Sequence, residues 1–242
     1  MTANPTPSTP SAGAEQRLRQ TIVEHGLRFA PSGLSQGTSG NLSIRLRENA
    51  DGSDPGDMLI TPSGVDYQAL QPQDLPRMRL HDAHWSGPLK PSSEWRFHRD
   101  IYLARPEVGA IVHAHPTYCT ALATQRKGIP AFHYMVAIAG GRDIRCAPYA
   151  TFGTEELSKN AVAALQGRRA CLLSNHGLIV VGKKLPSTFA MAVEIEELAH
   201  QYLLTLMSGA PVVLPDDEMD KVLALFAQGY GENAQKDMKK TP

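Results

Sequence analysis

Two imidazoles spaced i and i+2, His113 and His115, close the apolar run AIVHAH, and Pro116 follows directly. In a strand, residues two apart project from the same face, so both rings point together where proline turns the chain away. Such a pair serves either as two metal ligands or as two hydrogen-bonded histidines at the edge of a core. Imidazole is a good zinc ligand, and a catalytic zinc usually takes three protein ligands and keeps one position open. A third ligand is therefore sought, and His176 offers one. It sits in Ser174-Asn175-His176-Gly177, a tight polar turn between two apolar runs. Of the remaining histidines, His98 falls on an expected helix one turn after Glu94, and His133 stands beside Tyr134. His25, His81, His84 and His200 read as surface or locally hydrogen-bonded groups.

Glu94 follows two serines at an expected helix start. A glutamate there is favoured by the helix dipole without any further role. Beside a metal, the same carboxylate could be a ligand or a general acid/base. Three short segments could hold an anion through hydroxyls and backbone N–H groups: Thr38-Ser39-Gly40-Asn41, Ser63-Gly64 and Ser92-Ser93. Ordinary turns explain each of them equally well. Neither the P-loop pattern nor the dinucleotide fingerprint occurs.

The elements that must position these groups can be read from periodicity. A helix is expected over 14–30 with Leu18, Ile22 and Phe29 inward, then a glycine-rich loop, then a strand begun by Leu42 and Ile44. Residues 48–57 read as a solvated hairpin tip and 58–61 as a short strand, while 76–91 carries no clear pattern. Ser92 or Ser93 is expected to cap a helix reaching Ala104. Strands are expected at 109–115, 170–173 and 178–181. Helices are expected at 117–124, at 155–165 behind a Thr154 cap, at 186–208 and at 216–227. This mixture predicts one α/β domain over 14–230, between a disordered tail (1–13) and a flexible one (231–242).

Composition narrows the classes. A chain of 242 residues suits one large domain. The formal net charge is zero and no basic stripe is visible, so no nucleic acid is expected as partner, although a small phosphorylated substrate is compatible. No apolar run reaches membrane-spanning length, and the N-terminus lacks the basic and apolar regions of a secretory signal. Cys119, Cys146 and Cys171 form no CxxC pair and read as reduced thiols, which fits a cytoplasmic protein.

Taken in order, GTSGNLSIR, LITPSGV, PSSEWRFHRDIY, VHAHPTYCTA, IPAFHYM, AGGRDIRCAPYATFGTEELS and LLSNHGLIV resemble the class II aldolase/adducin family over roughly residues 15–230. The resemblance implies a three-layer α/β fold with a central, mainly antiparallel sheet. It also implies a homotetramer with interfacial active sites, and one Zn2+ per subunit held by His113, His115 and His176. By the same resemblance, Glu94 is the catalytic glutamate and a ligand of the resting metal. Thr38, Gly40, Asn41, Ser63, Gly64, Ser92 and Ser93 hold a substrate phosphate. Tyr134 serves a neighbouring subunit's site, and Phe152 and Tyr230 lie on the aldehyde side. The implied reaction is retro-aldol cleavage of a ketose 1-phosphate, L-fuculose 1-phosphate or a related pentulose 1-phosphate, to dihydroxyacetone phosphate and an aldehyde. The 5-deoxy- and 5-methylthioribulose 1-phosphates are alternative substrates. Epimerase, dehydratase, decarboxylase and non-enzymatic adducin-like readings are alternative functions. The chain departs from the family pattern in a longer connection between Asn41 and Ser92, a Pro-rich N-terminus, and asparagine at position 175.

Overall fold

A computed structural model of the chain describes residues 12–46 and 56–228. The stretches 1–11, 47–55 and 229–242, which hold most of both expected tails, most of the hairpin tip and Tyr230, lie outside the described residues. Eight strands form one sheet in the order β4-β3-β2-β1-β5-β8-β7-β6. They are β1 (Asn41–Leu46), β2 (Asp57–Ile60), β3 (Arg77–Arg79), β4 (Trp85–Ser86), β5 (Ala110–Ala114), β6 (Arg145–Ala147), β7 (Ala170–Leu173) and β8 (Gly177–Gly182). Six pairings are antiparallel. The pairing of β6 with β7 is parallel, so the sheet is mixed, though mainly antiparallel as expected.

Strand alternation sorts the side chains into two layers of core. Leu42 and Ile44 of β1, Val112 of β5 and Val180 of β8 face one layer. That layer is closed by α1 (Ala12–Gly26), α3 (Thr117–Thr124) and α5 (Leu185–Ser208), with α6 (Asp216–Ala227) beyond. Ile111, Ile179 and Val181 point the other way, toward α2 (Trp95–Ala104) and α4 (Glu155–Ala164). The result is the expected three-layer α/β fold.

Local differences from the sequence reading have local causes. Helix α1 stops at Gly26, four residues early. Gly26 lies against the Tyr67 ring, where a Cβ would stand 2.3 Å from a ring carbon. Phe29 is still buried, turned inward by a following turn to meet Tyr67 and Phe189. The cap of α2 is not a serine. Glu94 itself occupies the cap position without a side-chain capping bond, and Ser92 Oγ accepts from the Glu94 N–H. In the patternless 76–91 stretch the strands are only two or three residues long, too short to show alternation. The cap of α4 is as expected, with Thr154 Oγ1 accepting from the Leu157 N–H.

Helix α3 begins two residues after His115, and no side chain of its own caps it. Glu196, on α5, accepts instead from the N–H groups of Tyr118 and Cys119 at 2.8 and 2.9 Å. A carboxylate satisfying two helix-start donors is a charge-assisted cap. Glu196→Ala is expected to cost about 1–3 kcal/mol in denaturant unfolding. A loss under about 0.3 kcal/mol would show that water replaces the carboxylate without penalty.

Candidate active site

The expected histidines converge. Asn41 pairs with His113 across β1 and β5, and His113 pairs with Ile179 across β5 and β8. The turn carrying His176 therefore folds back beside the end of β5. It is held by Asn175 N–H donating to the carbonyl of Ala123 and by Ser174 N–H donating to that of Ala147. Asn175 takes the left-handed backbone conformation (φ 54°), which asparagine tolerates better than most residues. Gly177 is required there, because a Cβ would lie 2.4 Å from the Ala114 carbonyl oxygen. The three imidazole rings stand 4.8 to 5.0 Å apart by centroid.

Glu94 completes the group. Its Oε2 lies 3.1 Å from His113 Nε2 and its Oε1 lies 3.1 Å from His176 Nε2. One ligand atom from each of Glu94, His113, His115 and His176 lies within 4.8 Å of every other. The hydrogen bonding fixes what these atoms offer. His113 Nδ1 sits 2.9 Å from the Leu178 carbonyl, so its N–H donates there and orients the ring with Nε2 toward the carboxylate. Nε2 also lies 2.9 Å from His115 Nε2. Burial, with His113 and His176 adding to it, pushes the His115 imidazole down to about 3, so this ring is neutral near pH 7. Burial pushes the Glu94 carboxyl up, but the His113 and His176 rings beside it override that and hold it well below the usual carboxylate range. Glu94 Oε1 is buried with only His176 Nε2 close to it. Three converging imidazoles and a buried carboxylate suit a divalent cation. Three nitrogens and one oxygen make a zinc-type donor set that manganese, cobalt or iron could also use.

The three anion-binding candidates also meet. Pro62 and Pro91 form a bridge that sets Ser63-Gly64 alongside Ser92-Ser93. Thr61 N–H donates to the Leu42 carbonyl, tying that turn to β1. Thr38, Ser63, Gly64 and Ser93 are exposed, as an anion cradle needs, while Ser92 is buried. Asn41 differs from them: it is buried, and its Nδ2 donates to Glu94 Oε2 at 2.9 Å. Gly40 is in the left-handed region (φ 79°), and a Cβ there would lie 2.8 Å from the His113 carbonyl oxygen. Gly40→Ala is expected to displace His113 and cut metal affinity about 10- to 100-fold by titration, the usual scale for a disturbed ligand support. Unchanged affinity would mean the loop yields without moving the histidine.

A cavity of about 330 Å3 opens beside the cluster, lined by Ser93, Glu94, His115, Tyr149, Phe152 and Asn175 among others. Phe152 and Tyr149 both stand on its wall. Tyr149 was not singled out in the sequence; its only signal is its place three residues before Phe152. Tyr134 does not line this cavity. It stands exposed at the start of a short 3-10 helix (Tyr134–Ala139). Within the long connection to Ser92, residues 80–87 pack on α2, where Arg99 donates to the carbonyls of Leu80 and His81. His98, placed among the lesser histidines by sequence, is fully buried and hydrogen-bonded to Ser43 and Asn41.

Comparison with known proteins fits this geometry. The family model described as Class II Aldolase and Adducin N-terminal domain matches residues 20–203. The 5-methylthioribulose-1-phosphate/5-deoxyribulose-1-phosphate aldolase of Rhodospirillum rubrum is 49% identical, over 92% of this chain and 96% of its own. The L-fuculose phosphate aldolase of Escherichia coli (strain K12) is 44% identical, over 89% of this chain and 96% of its own. A solved L-fuculose 1-phosphate aldolase superposes with a TM-score of 0.82 at 40% identity, covering 90% of this chain and 98% of the other.

Proposed function

We propose, from the premise that this chain belongs to the class II aldolase and adducin family, that it uses zinc to cleave a ketose 1-phosphate whose leaving aldehyde ends in a small apolar group. Class II aldolase action on ketose 1-phosphates is common to its relatives. The observation that carries the reading here is the Glu94, His113, His115 and His176 cluster opening into a cavity with Tyr149, Ala150 and Phe152 on its wall. An adducin-like binding module has no need of such a cluster.

His113, His115 and His176 would hold the cation, with Glu94 as a further ligand. A divalent cation there supplies Lewis acidity, polarising the substrate carbonyl and stabilising the charge left when the C3–C4 bond breaks. The chain's own residues do the rest. Thr38, Ser63, Gly64, Ser92 and Ser93 hold the phosphate, and Asn41 contributes its remaining amide hydrogen. Glu94 moves a proton at the reacting carbons. Tyr134, exposed in this subunit, exchanges the other proton in a neighbouring subunit's site, and Phe152 and Tyr230 border the aldehyde. This division of labour calls for a neighbouring subunit, which the proposed homotetramer supplies, and the exposure of Met207 and Val212 is consistent with further burial on assembly. Among the described residues, no helix is long and apolar enough to cross a membrane, and the free cysteines suit a reducing compartment such as the cytoplasm.

A methyl and a methylthio terminus both fit an apolar wall, and their discrimination amounts to only about 1–3 kcal/mol. The Rhodospirillum rubrum relative carries both kinds of substrate in its name. The 49% identity favours 5-deoxy- and 5-methylthioribulose 1-phosphates as a second reading beside L-fuculose 1-phosphate. The test is dihydroxyacetone phosphate release from these three and from L-ribulose 1-phosphate, with and without chelator. Chelator-sensitive release, fastest with an apolar-ended substrate, is expected. No release from any by the metal-loaded protein would overturn the aldolase reading in favour of epimerase, dehydratase or decarboxylase chemistry.

A further inference from the structure

From Glu94 a buried polar stripe runs down α2, and its further members, His98 and Tyr102, have no ligand or phosphate role. Glu94, His98 and Tyr102 are spaced four apart and so lie on one face. Opposite them β1 presents Asn41 and Ser43, which alternate onto the same side of the sheet. The contacts form one line: Glu94 Oε2 to Asn41 Nδ2 at 2.9 Å, Asn41 Oδ1 to His98 Nε2 at 2.5 Å, His98 Nδ1 to Ser43 Oγ at 2.7 Å, and Ser43 Oγ to Tyr102 Oη at 2.8 Å. His98, Ser43 and Tyr102 are fully buried, so no water replaces a lost partner cheaply.

The direction of every bond in this line follows from its charged end. An ionised carboxylate only accepts, so Asn41 must turn its NH2 to Glu94 and its oxygen to His98. His98 Nε2 must then carry the proton. A neutral imidazole has only one N–H, so Nδ1 accepts and the Ser43 hydroxyl donates to it. With its proton so used, Ser43 Oγ accepts from Tyr102. A protonated His98, or the other tautomer, breaks this order.

We propose that His98 is a positioning residue: by donating from Nε2 it fixes the Asn41 amide so that an N–H, not an oxygen, meets Glu94, and so holds the Glu94 carboxylate in its working orientation. The role rests on the proposed aldolase reading, in which Glu94 handles a proton. His98 touches neither substrate nor metal. It acts through Asn41, and Ser43 and Tyr102 act through it. With Ser43 absent, His98 is free to change tautomer. Asn41 then flips, and two oxygens face one another across the gap to Glu94.

The test has two parts. The first is side-chain 15N NMR of His98 in the whole protein, metal-loaded and chelator-treated. It is expected to show the neutral Nε2–H form in both, with the Nδ1–H form appearing in Ser43→Ala. The second is a double-variant cycle. His98→Phe is expected to keep the metal and to lose about 10- to 100-fold in kcat, the scale for residues that orient a functional group. His98→Gln, whose amide can still donate to Asn41, is expected to recover most of that loss. In a Glu94→Gln background, His98→Phe is expected to cost less than about twofold, since the group it positions is gone. An Nδ1–H form in the unsubstituted protein, or equal losses in both backgrounds, overturns the proposal. If His98→Phe does not fold, the tautomer measurement still decides. Failure of the aldolase reading shows separately, as absent turnover in the unsubstituted protein.

Discussion

Metal analysis of His113→Ala is expected to find less than a tenth of the metal of the unsubstituted protein, with turnover below detection. His113 is the best-fixed ligand. Its ring is fully buried, its Nδ1–H is committed to the Leu178 carbonyl, and its Nε2 faces both His115 and Glu94. A ligand oriented by a second hydrogen bond binds in one geometry without reorganisation. Stability should follow. A cation at a thousand times its Kd contributes about 4 kcal/mol to the folded state, which for a chain of this size is on the order of 10 °C in Tm. Chelator should therefore lower the Tm of the unsubstituted protein by that amount and leave His113→Ala unmoved. Full metal occupancy in the variant, or an equal chelator shift in both, would show that the ion sits elsewhere.

Glu94→Gln separates holding the metal from moving a proton. An amide keeps the shape and one oxygen, so three histidines and a weak fourth donor should retain the ion. Turnover should fall about 10^2- to 10^4-fold, the range for loss of a positioned acid/base, with KM changing less than threefold. The amide also introduces a donor where Asn41 Nδ2 already donates, so the side chain should rotate. Turnover within tenfold of normal would remove Glu94 from the chemistry and leave it as a ligand alone.

What the sequence reveals of this site depends on how local each signal is. His113 and His115 could be read because strand alternation is a period of two, and His176 because a polar turn between apolar runs marks a strand connection. Helices α3 and α6 fall at their expected residues because periodicity and flanking prolines agree. The end of α1 could not be read, since it depends on Tyr67 lying across Gly26. Asn41 looked like one more loop residue suited to an anion, and what distinguishes it is a pair of partners more than fifty positions away. The role of His98 is hidden for the same reason. Its spacing from Glu94 is visible in the chain, but a polar stripe on a helix ordinarily faces water. Only the pairing of β1 beside α2 turns that stripe inward.

The ligands also come from distant parts of the chain: the start of α2, the end of β5 and the turn before β8. No two of these sites close a short loop except the His113 and His115 pair at the end of β5, so an ion cannot gather them while the chain is open. Capture must wait until β5 has paired with β8 and α2 has settled on β1. The cation is thus a late arrival in folding, unlike the ion of a small zinc domain, which organises its fold. Refolding should run at the same speed with or without chelator, and the metal-free chain should already be folded, ready to be charged by whatever supplies the ion.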